Sequence, residues 1–428
     1  MKKVGIVSLG CSKNLVDSEN ILGLLDNDKY EITPFIEDAD IIFVNTCGFI
    51  ESSKKESIET IFEMASYGKQ VVATGCLVDR YSEELKKEMP EVSLMIPIRH
   101  YHHFNDLLRN IDPELNASGG LRDDLRVIST GHFSAFLKIG EGCDNRCSYC
   151  AIPLIRGGFV SRSYDEILKE ARNLANIGIK EIIVLEQDTT KYGIDLPNGE
   201  NIVKLLKGLL EIKEFDYIRL LYLYPDEITD ELIDLIANEP RLTHYFDIPI
   251  QHSETHILQA MNRRGDKEYL RSLFKKIRDK IPDAVIRTTL MVGFPGETEE
   301  DYSNLKEFVK EIEFDHLGAF TYSREEGTSS YDMPNHIDGK IKKERMDGIM
   351  KIQQTISYRK NKKHIGEIME GLIVGMDKNH YLFRSYWNAP DDVDGKIFVE
   401  SDKPLSQGDK IKVKIDEAFV YDLMGHAI

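Results

Sequence analysis

Three cysteines crowd the stretch Glu141-Gly-Cys-Asp-Asn-Arg-Cys-Ser-Tyr-Cys-Ala-Ile-Pro153. Cys143, Cys147 and Cys150 follow a C-x3-C-x2-C spacing inside a short glycine-containing loop. Thiolates this near in sequence can converge on one inorganic site, and an iron-sulfur cluster is its natural occupant. Four-iron clusters normally take four thiolates, so three leave one iron without a protein ligand. An open coordination position is where a substrate or cofactor binds, as at catalytic metal sites. A zinc knuckle or a disulfide is the competing reading. Zinc usually closes with four ligands, and no fourth Cys or His lies near this loop in the sequence.

The other cysteines, Cys11, Cys47 and Cys76, each come just past an apolar run, as Leu9-Gly-Cys11, Asn45-Thr-Cys47-Gly and Thr74-Gly-Cys76. The runs at 3–9, 39–45 and 70–74 read as buried strands, with helices expected over 17–25 and 51–67. Strand and helix in alternation imply a parallel sheet covered by helices. Ligands bind at the carboxyl edge of such a sheet. Cysteines 36 and 29 residues apart can therefore meet there and form a second three-thiolate site. The alternative is three buried structural cysteines, a common core residue.

The elements that position the first loop come later. Residues 90–130 read as irregular, with a helix ending over 107–113 and a linker at Asn116-Ala-Ser-Gly-Gly. Strands are expected at 135–139, 181–185, 217–223, 244–248, 285–292 and 317–322. Amphipathic helices at 164–176, 202–212, 227–238, 267–280 and 299–313 separate them. Six such units make a partial, TIM-like (β/α)6 barrel, open on one side, with chemistry built from the loops after its strands. The cysteine loop follows the first of them. After a charged helix over 340–363, short strands separated by turn residues indicate a small OB-like β-barrel from about residue 365. The class is α/β, with domains expected at 1–115, 130–360 and 364–428.

A chain of 428 residues exceeds one ordinary core. No apolar run is long enough to span a bilayer, and Met1-Lys-Lys-Val-Gly-Ile-Val leads into a strand. A cytoplasmic location is expected, where grouped cysteines are metal-binding or catalytic. The formal charge of −18 argues against non-specific binding of phosphate backbones and suits a basic partner. From His364 onward there are seven Lys or Arg against twelve Asp or Glu.

The cysteine loop, with Tyr149 before its last Cys, resembles the signature of the radical S-adenosylmethionine (SAM) enzymes. That resemblance implies SAM bound through its amino and carboxylate groups to the open iron, cleavage to a 5′-deoxyadenosyl radical, and Tyr149 beside the adenine. Packing of Tyr149 under the loop is the plainer reading. Two cysteine trios followed by a small β-barrel resemble the methylthiotransferases over essentially the whole chain. In that family one cluster makes the radical and an N-terminal cluster carries the sulfur, with a terminal TRAM module recognising substrate. The resemblance thus implies two 4Fe-4S clusters, one SAM as methyl donor and another as radical source.

Ser8-Leu-Gly-Cys-Ser-Lys-Asn-Leu-Val-Asp-Ser-Glu19, Glu186-Gln-Asp-Thr-Thr-Lys-Tyr-Gly193, Leu220-Leu-Tyr-Leu-Tyr-Pro225, Asp247-Ile-Pro-Ile-Gln-His252 and Tyr322-Ser-Arg-Glu-Glu-Gly-Thr328 resemble the protein-modifying branch of the family. This implies methylthiolation of an aspartate β-carbon in small-subunit ribosomal protein twelve, free or in the 30S subunit. Flavodoxin or ferredoxin would supply electrons, with neither a membrane nor a nucleic-acid substrate. A tRNA methylthiotransferase, expected to carry a basic terminal barrel, and a non-catalytic iron-sulfur module on the ribosome are the alternatives.

Other candidates carry weaker signals. Gly293-Phe-Pro-Gly-Glu297 resembles a turn that contacts the SAM adenine, or is a plain βα turn. Gln187 and Asp188 stand where relatives have Gly-Gly-Glu holding the SAM amino group. Arg219, Arg287 and Arg324 could bind the substrate carboxylate or serve ion pairs. His252 could move protons or be a satisfied barrel-end histidine, and Trp387 could anchor an interface or fill a core. A sulfur donor must lie within bonding distance of the carbon radical. The cysteine edge of the N-terminal sheet should therefore dock on the open mouth of the barrel.

Overall fold

The computed structural model describes residues 1–25, 29–113, 126–390 and 393–428. Five parallel strands build the N-terminal sheet in the order Tyr30–Ile32, Lys2–Ser8, Ile41–Thr46, Gln70–Gly75, Leu94–Pro97. The central strand Ile41–Thr46 is buried along its whole length, as a strand covered on both faces must be. Val4, Phe43, Val72 and Ile96 pack on Ile21, Leu22 and Phe104 on one face. Ile42, Val44, Val71 and Ala73 meet Ile61, Met64 and Leu77 on the other.

The sequence expectation missed strands Tyr30–Ile32, Leu94–Pro97 and Leu423–Ala427 and helix Cys76–Glu88. Leu94–Pro97 is a strand inside the stretch read as irregular, because four residues beside prolines are too short for a periodic signal. The expected linker at 116–120 lies outside the described residues. The first helix is Ser12–Gly23, starting directly after Cys11 and not at residue 17. Its polar residues Lys13, Asn14, Asp17, Glu19 and Asn20 are buried, since one side packs on the sheet and the other on the next domain.

The barrel has its six parallel strands, arranged as two sheets of three. One runs Tyr217–Leu220, Glu181–Leu185, Ser134–Lys138, and the other Tyr245–Asp247, Val285–Val292, His316–Thr321. The Ile218–Leu242 bridge joins them. Ser134–Lys138 and His316–Thr321 are the two outer strands, and the N-terminal domain spans the gap between them. Lys138 Nζ donates to Asp17 Oδ1 at 2.8 Å on one lip. On the other, Lys54 and Arg80 donate to Glu325 Oε2 at 2.9 and 3.0 Å. Charges taken out of water need such partners, so these pairs fix where the sheet docks.

Helix Gly339–Asn361 leads to a closed five-stranded barrel in the order Ile368–Asp377, His380–Arg384, Ile397–Glu400, Leu423–Ala427, Lys410–Ala418. It covers the amino ends of the larger barrel's strands. Arg384 and Arg219 both bond Glu181, Tyr245 donates to Asp394 at 2.6 Å, and His316 Nε2 bonds Trp387 O at 2.7 Å. The small barrel thus sits at the opposite end from the cysteine loop. No described helix is long and apolar enough to cross a membrane.

Candidate active site

Cys11, Cys47 and Cys76 leave the carboxyl ends of three adjacent strands, in register through the pairs Ser8–Asn45 and Thr46–Gly75. Glycines bring their turns into contact. A Cβ on Gly10 would stand 2.9 Å from Cys47 Sγ, and one on Gly48 would stand 2.7 Å from Leu77 Cα. Gly10 also has φ +88°, a conformation that glycine adopts freely. Cys11 is exposed, Cys47 half-buried and Cys76 buried. Burial pushes the Cys76 thiol up to about 12, Arg156 opposes this, and Cys11 and Cys47 add to it. The three sulfurs therefore feel one another's charge.

The loop trio behaves alike. Burial, joined by charge on Cys147, raises Cys143 to about 11 and Cys150 to about 12. Arg263 Nη1 lies 3.8 Å from Cys147 Sγ and supplies the positive charge that a set of thiolates needs. Each trio is a sulfur-only donor set next to a buried guanidinium, which suits an iron-sulfur cluster. Among the described residues, no three His, Cys, Asp or Glu side chains are gathered for a single metal ion.

The short helix Ile152–Arg156, which leaves the loop, connects the trios. Cys76 packs with Ala151 and Ile155, immediately after Cys150. Arg156 donates to Glu141 at 2.9 and 3.0 Å, to Asn14 Oδ1 at 2.6 Å and to Asp17 Oδ2 at 2.9 Å. Against the burial that would raise it, Arg156 and Lys138 bring the Glu141 carboxyl down to about 2. Asn14 further ties the site together, donating to Leu9 O and Thr46 O at 2.8 and 3.0 Å. The expected docking of the cysteine edge on the barrel mouth is thus present.

Beneath the loop, Tyr149 shares an apolar wall with Ile257, Met261, Phe294 and Tyr322, and its hydroxyl accepts from Arg263 at 3.3 Å. Gly293, with φ +75°, opens the turn that brings Phe294 to this wall. Glu297 holds that turn from inside: its carboxylate accepts from the Gly293 amide at 2.6 Å and from Arg345 at 2.7 Å. Gln187 lies on the other side, its amide nitrogen donating to Gly142 O and Glu186 Oε1. Asp188 accepts from Asn145 at 2.7 Å and from Thr190.

The three arginines considered for a substrate carboxylate are engaged elsewhere. Arg219 bonds Glu181 and Ser385 O, Arg287 pairs with Asp247 and Asp394, and Arg324 bonds Tyr331 O while lying over its ring. His252 is fully buried, its Nδ1 accepting from the Glu254 amide, and desolvation lowers it to about 4. Its Nε2 lies 3.8 Å from Glu297. Trp387 is buried against His316 with ring centroids 4.8 Å apart, joining the two barrels from within. Arg156, Arg263, Lys13 and Glu325 carry no sequence signal of this role, because their partners are far away along the chain.

Three family models match the chain in turn. Residues 3–97 match the Uncharacterized protein family UPF0004, residues 137–309 the Radical SAM superfamily, and residues 365–428 the TRAM domain. The chain is 46% identical to the ribosomal protein uS12 methylthiotransferase RimO of Clostridioides difficile over 442 residues, covering 100% of this chain and 99% of the relative. It is 47% identical to that of Aquifex aeolicus, covering 99% and 96%. Among solved structures it resembles the radical SAM methyltransferase TsrM of Kitasatospora setae, with TM-score 0.57, 12% identity, and 87% and 78% of the two chains covered. The cobalamin-dependent SAM radical enzyme OxsB has TM-score 0.52 at 14% identity, covering 83% and 56%. These two likenesses concern the fold. Full-length identity near one half, together with the radical SAM and TRAM segments, shows that the chain belongs to the RimO family of ribosomal protein uS12 methylthiotransferases.

Proposed function

We propose that this radical SAM enzyme adds a methylthio group to the β-carbon of an aspartate in ribosomal protein uS12. The observation that carries the reading is the packing of Cys76 on Ala151 and Ile155, which joins one cysteine trio to the other. Cys143, Cys147 and Cys150 would hold one 4Fe-4S cluster, and Cys11, Cys47 and Cys76 a second. When bound, the first with SAM supplies a 5′-deoxyadenosyl radical, and the second supplies the sulfur, a second SAM giving the methyl group.

The protein's own part is to orient and shield. Tyr149 and the Gly293–Glu297 turn form one wall of the SAM site, with Gln187 opposite. Arg156 holds the trios at a constant separation, so that a carbon radical meets the sulfur donor without diffusing. The apolar wall under the loop keeps water away from the reacting carbon. Residues 1–115, 130–360 and 364–428 act as the sulfur-carrying, radical-forming and substrate-engaging units. The acidic terminal barrel suits a basic ribosomal protein, free or in the 30S subunit, and disfavours RNA as the direct substrate. A flavodoxin or ferredoxin in the cytoplasm would supply the electron.

The test incubates reconstituted, reduced enzyme with SAM and either uS12 or tRNA, followed by mass spectrometry. The expected result is a gain of one sulfur and one methyl on uS12. A gain on tRNA alone would overturn the assignment.

A further inference from the structure

An aspartate side chain held for attack at its β-carbon brings a carboxylate into the mouth. Arg219, Arg287 and Arg324 are bonded elsewhere, but helix Ser12–Gly23 offers another cation. Lys13 stands two residues after Cys11 and is 6% exposed. Its Nζ donates to Glu186 O at 3.3 Å, just past the second barrel strand, and lies 4.6 Å from the centre of the Tyr222 ring, just past the third. An ammonium rooted at the cysteine edge of the N-terminal sheet is thus inserted over the carboxyl ends of two barrel strands. The hydrogen bond it makes is to a carbonyl, not to a carboxylate. Glu141 and Glu186 feel its charge, but neither carboxyl is hydrogen-bonded to it, so the ammonium keeps donors for an anion from outside the chain.

A second group points to the same place. Glu186 is fully buried, and its Oε2 has no hydrogen-bond partner among the described residues. A Cβ on Gly140 would lie 3.2 Å from that oxygen, so glycine keeps the space beside it. Burial and the charge of Glu141 raise Glu186 to about 8 against the opposing charge of Lys13, which favours a carboxyl able to donate near neutral pH. Among the described residues Arg263 pairs with no carboxylate, but it lies against Cys147, Tyr149 and Tyr224, on the side of the loop trio.

We infer that Lys13 and Glu186 together bind the carboxylate of the substrate aspartate, placing its β-carbon between the two cysteine trios. The inference rests on the aspartate reading above. It adds a specificity-determining pair: the ammonium neutralises the carboxylate and the buried carboxyl group of Glu186 donates to it.

The test uses the full-length reconstituted enzyme, intact uS12, and uS12 with the modified aspartate changed to Asn. Binding is measured anaerobically by fluorescence anisotropy, and methylthiolation is expressed per 5′-deoxyadenosine formed, which separates substrate placement from radical formation. Wild type should prefer Asp to Asn. Lys13→Met should weaken binding of Asp uS12 by about a hundredfold and abolish that preference, with Lys13→Arg restoring part of both. Glu186→Gln, which keeps a donor, should bind better than Glu186→Ala. A Lys13→Met enzyme that still prefers Asp would overturn this inference alone. A wild type indifferent to Asp and Asn would overturn the aspartate reading and this inference with it.

Discussion

Replacing Arg156 by Met tests whether the two cysteine trios are held together by buried charge. The guanidinium makes four hydrogen bonds, two to Glu141 and one each to Asn14 and Asp17, and its side chain is 1% exposed. Removing one partner of a buried pair costs about 3–5 kcal/mol. Lys138 remains, 2.8 Å from Asp17 and 3.3 Å from Glu141, so neither carboxylate is left alone. We therefore expect a loss of about 2–4 kcal/mol for Arg156→Met, and about half of that for Arg156→Lys, which keeps the charge without the planar fork. The assay is anaerobic urea unfolding of the metal-free protein followed by circular dichroism. A cycle with Asp17→Asn should give a coupling of about 1–3 kcal/mol. A change below about 0.5 kcal/mol, or strict additivity of the two substitutions, would refute the clamp.

Further outcomes follow from the same geometry. Ala at Cys143, Cys147 or Cys150 should halve the iron content and abolish SAM cleavage; Ala at Cys11, Cys47 or Cys76 should halve the iron and end sulfur transfer while 5′-deoxyadenosine still forms. His252, held near 4 against an ordinary 6.5, binds its proton more readily in the unfolded chain. Stability should thus fall by up to about 3 kcal/mol as pH drops from 6.5 to 4, and His252→Gln should flatten that limb of a pH series of urea midpoints. Trp387→Ala should cost about 3–5 kcal/mol and free the terminal barrel to limited proteolysis at the 361–368 junction. Arg345→Met, which removes the partner of buried Glu297, should raise the KM for SAM more than it lowers kcat.

Some of this architecture is written locally. The spacing of Cys143, Cys147 and Cys150 needs no fold to be read, and the strand-then-cysteine pattern placed Cys11, Cys47 and Cys76 on one edge because parallel sheets present their carboxyl ends together. The barrel strands were legible as apolar runs, and only their ends shifted, as with 217–223 shortening to Tyr217–Leu220. Leu94–Pro97 and Leu423–Ala427 were too short or too mixed to show a period. The start of helix Ser12–Gly23 was hidden because its polar residues resemble a solvated turn, whereas their partners lie on another domain.

By itself the sequence determined the two cysteine trios, the six-unit barrel and the acidic terminal module, all of which depend on residue type and short-range periodicity. Only the tertiary structure decided that Arg156 and Lys13 reach across between the N-terminal sheet and the barrel, and that the terminal barrel sits at the far end of the strands. The physical reason is that a long polar side chain reads as solvated until the fold supplies its partner. Arg156 finds Asn14 and Asp17 142 and 139 positions away, a distance over which no local pattern carries information.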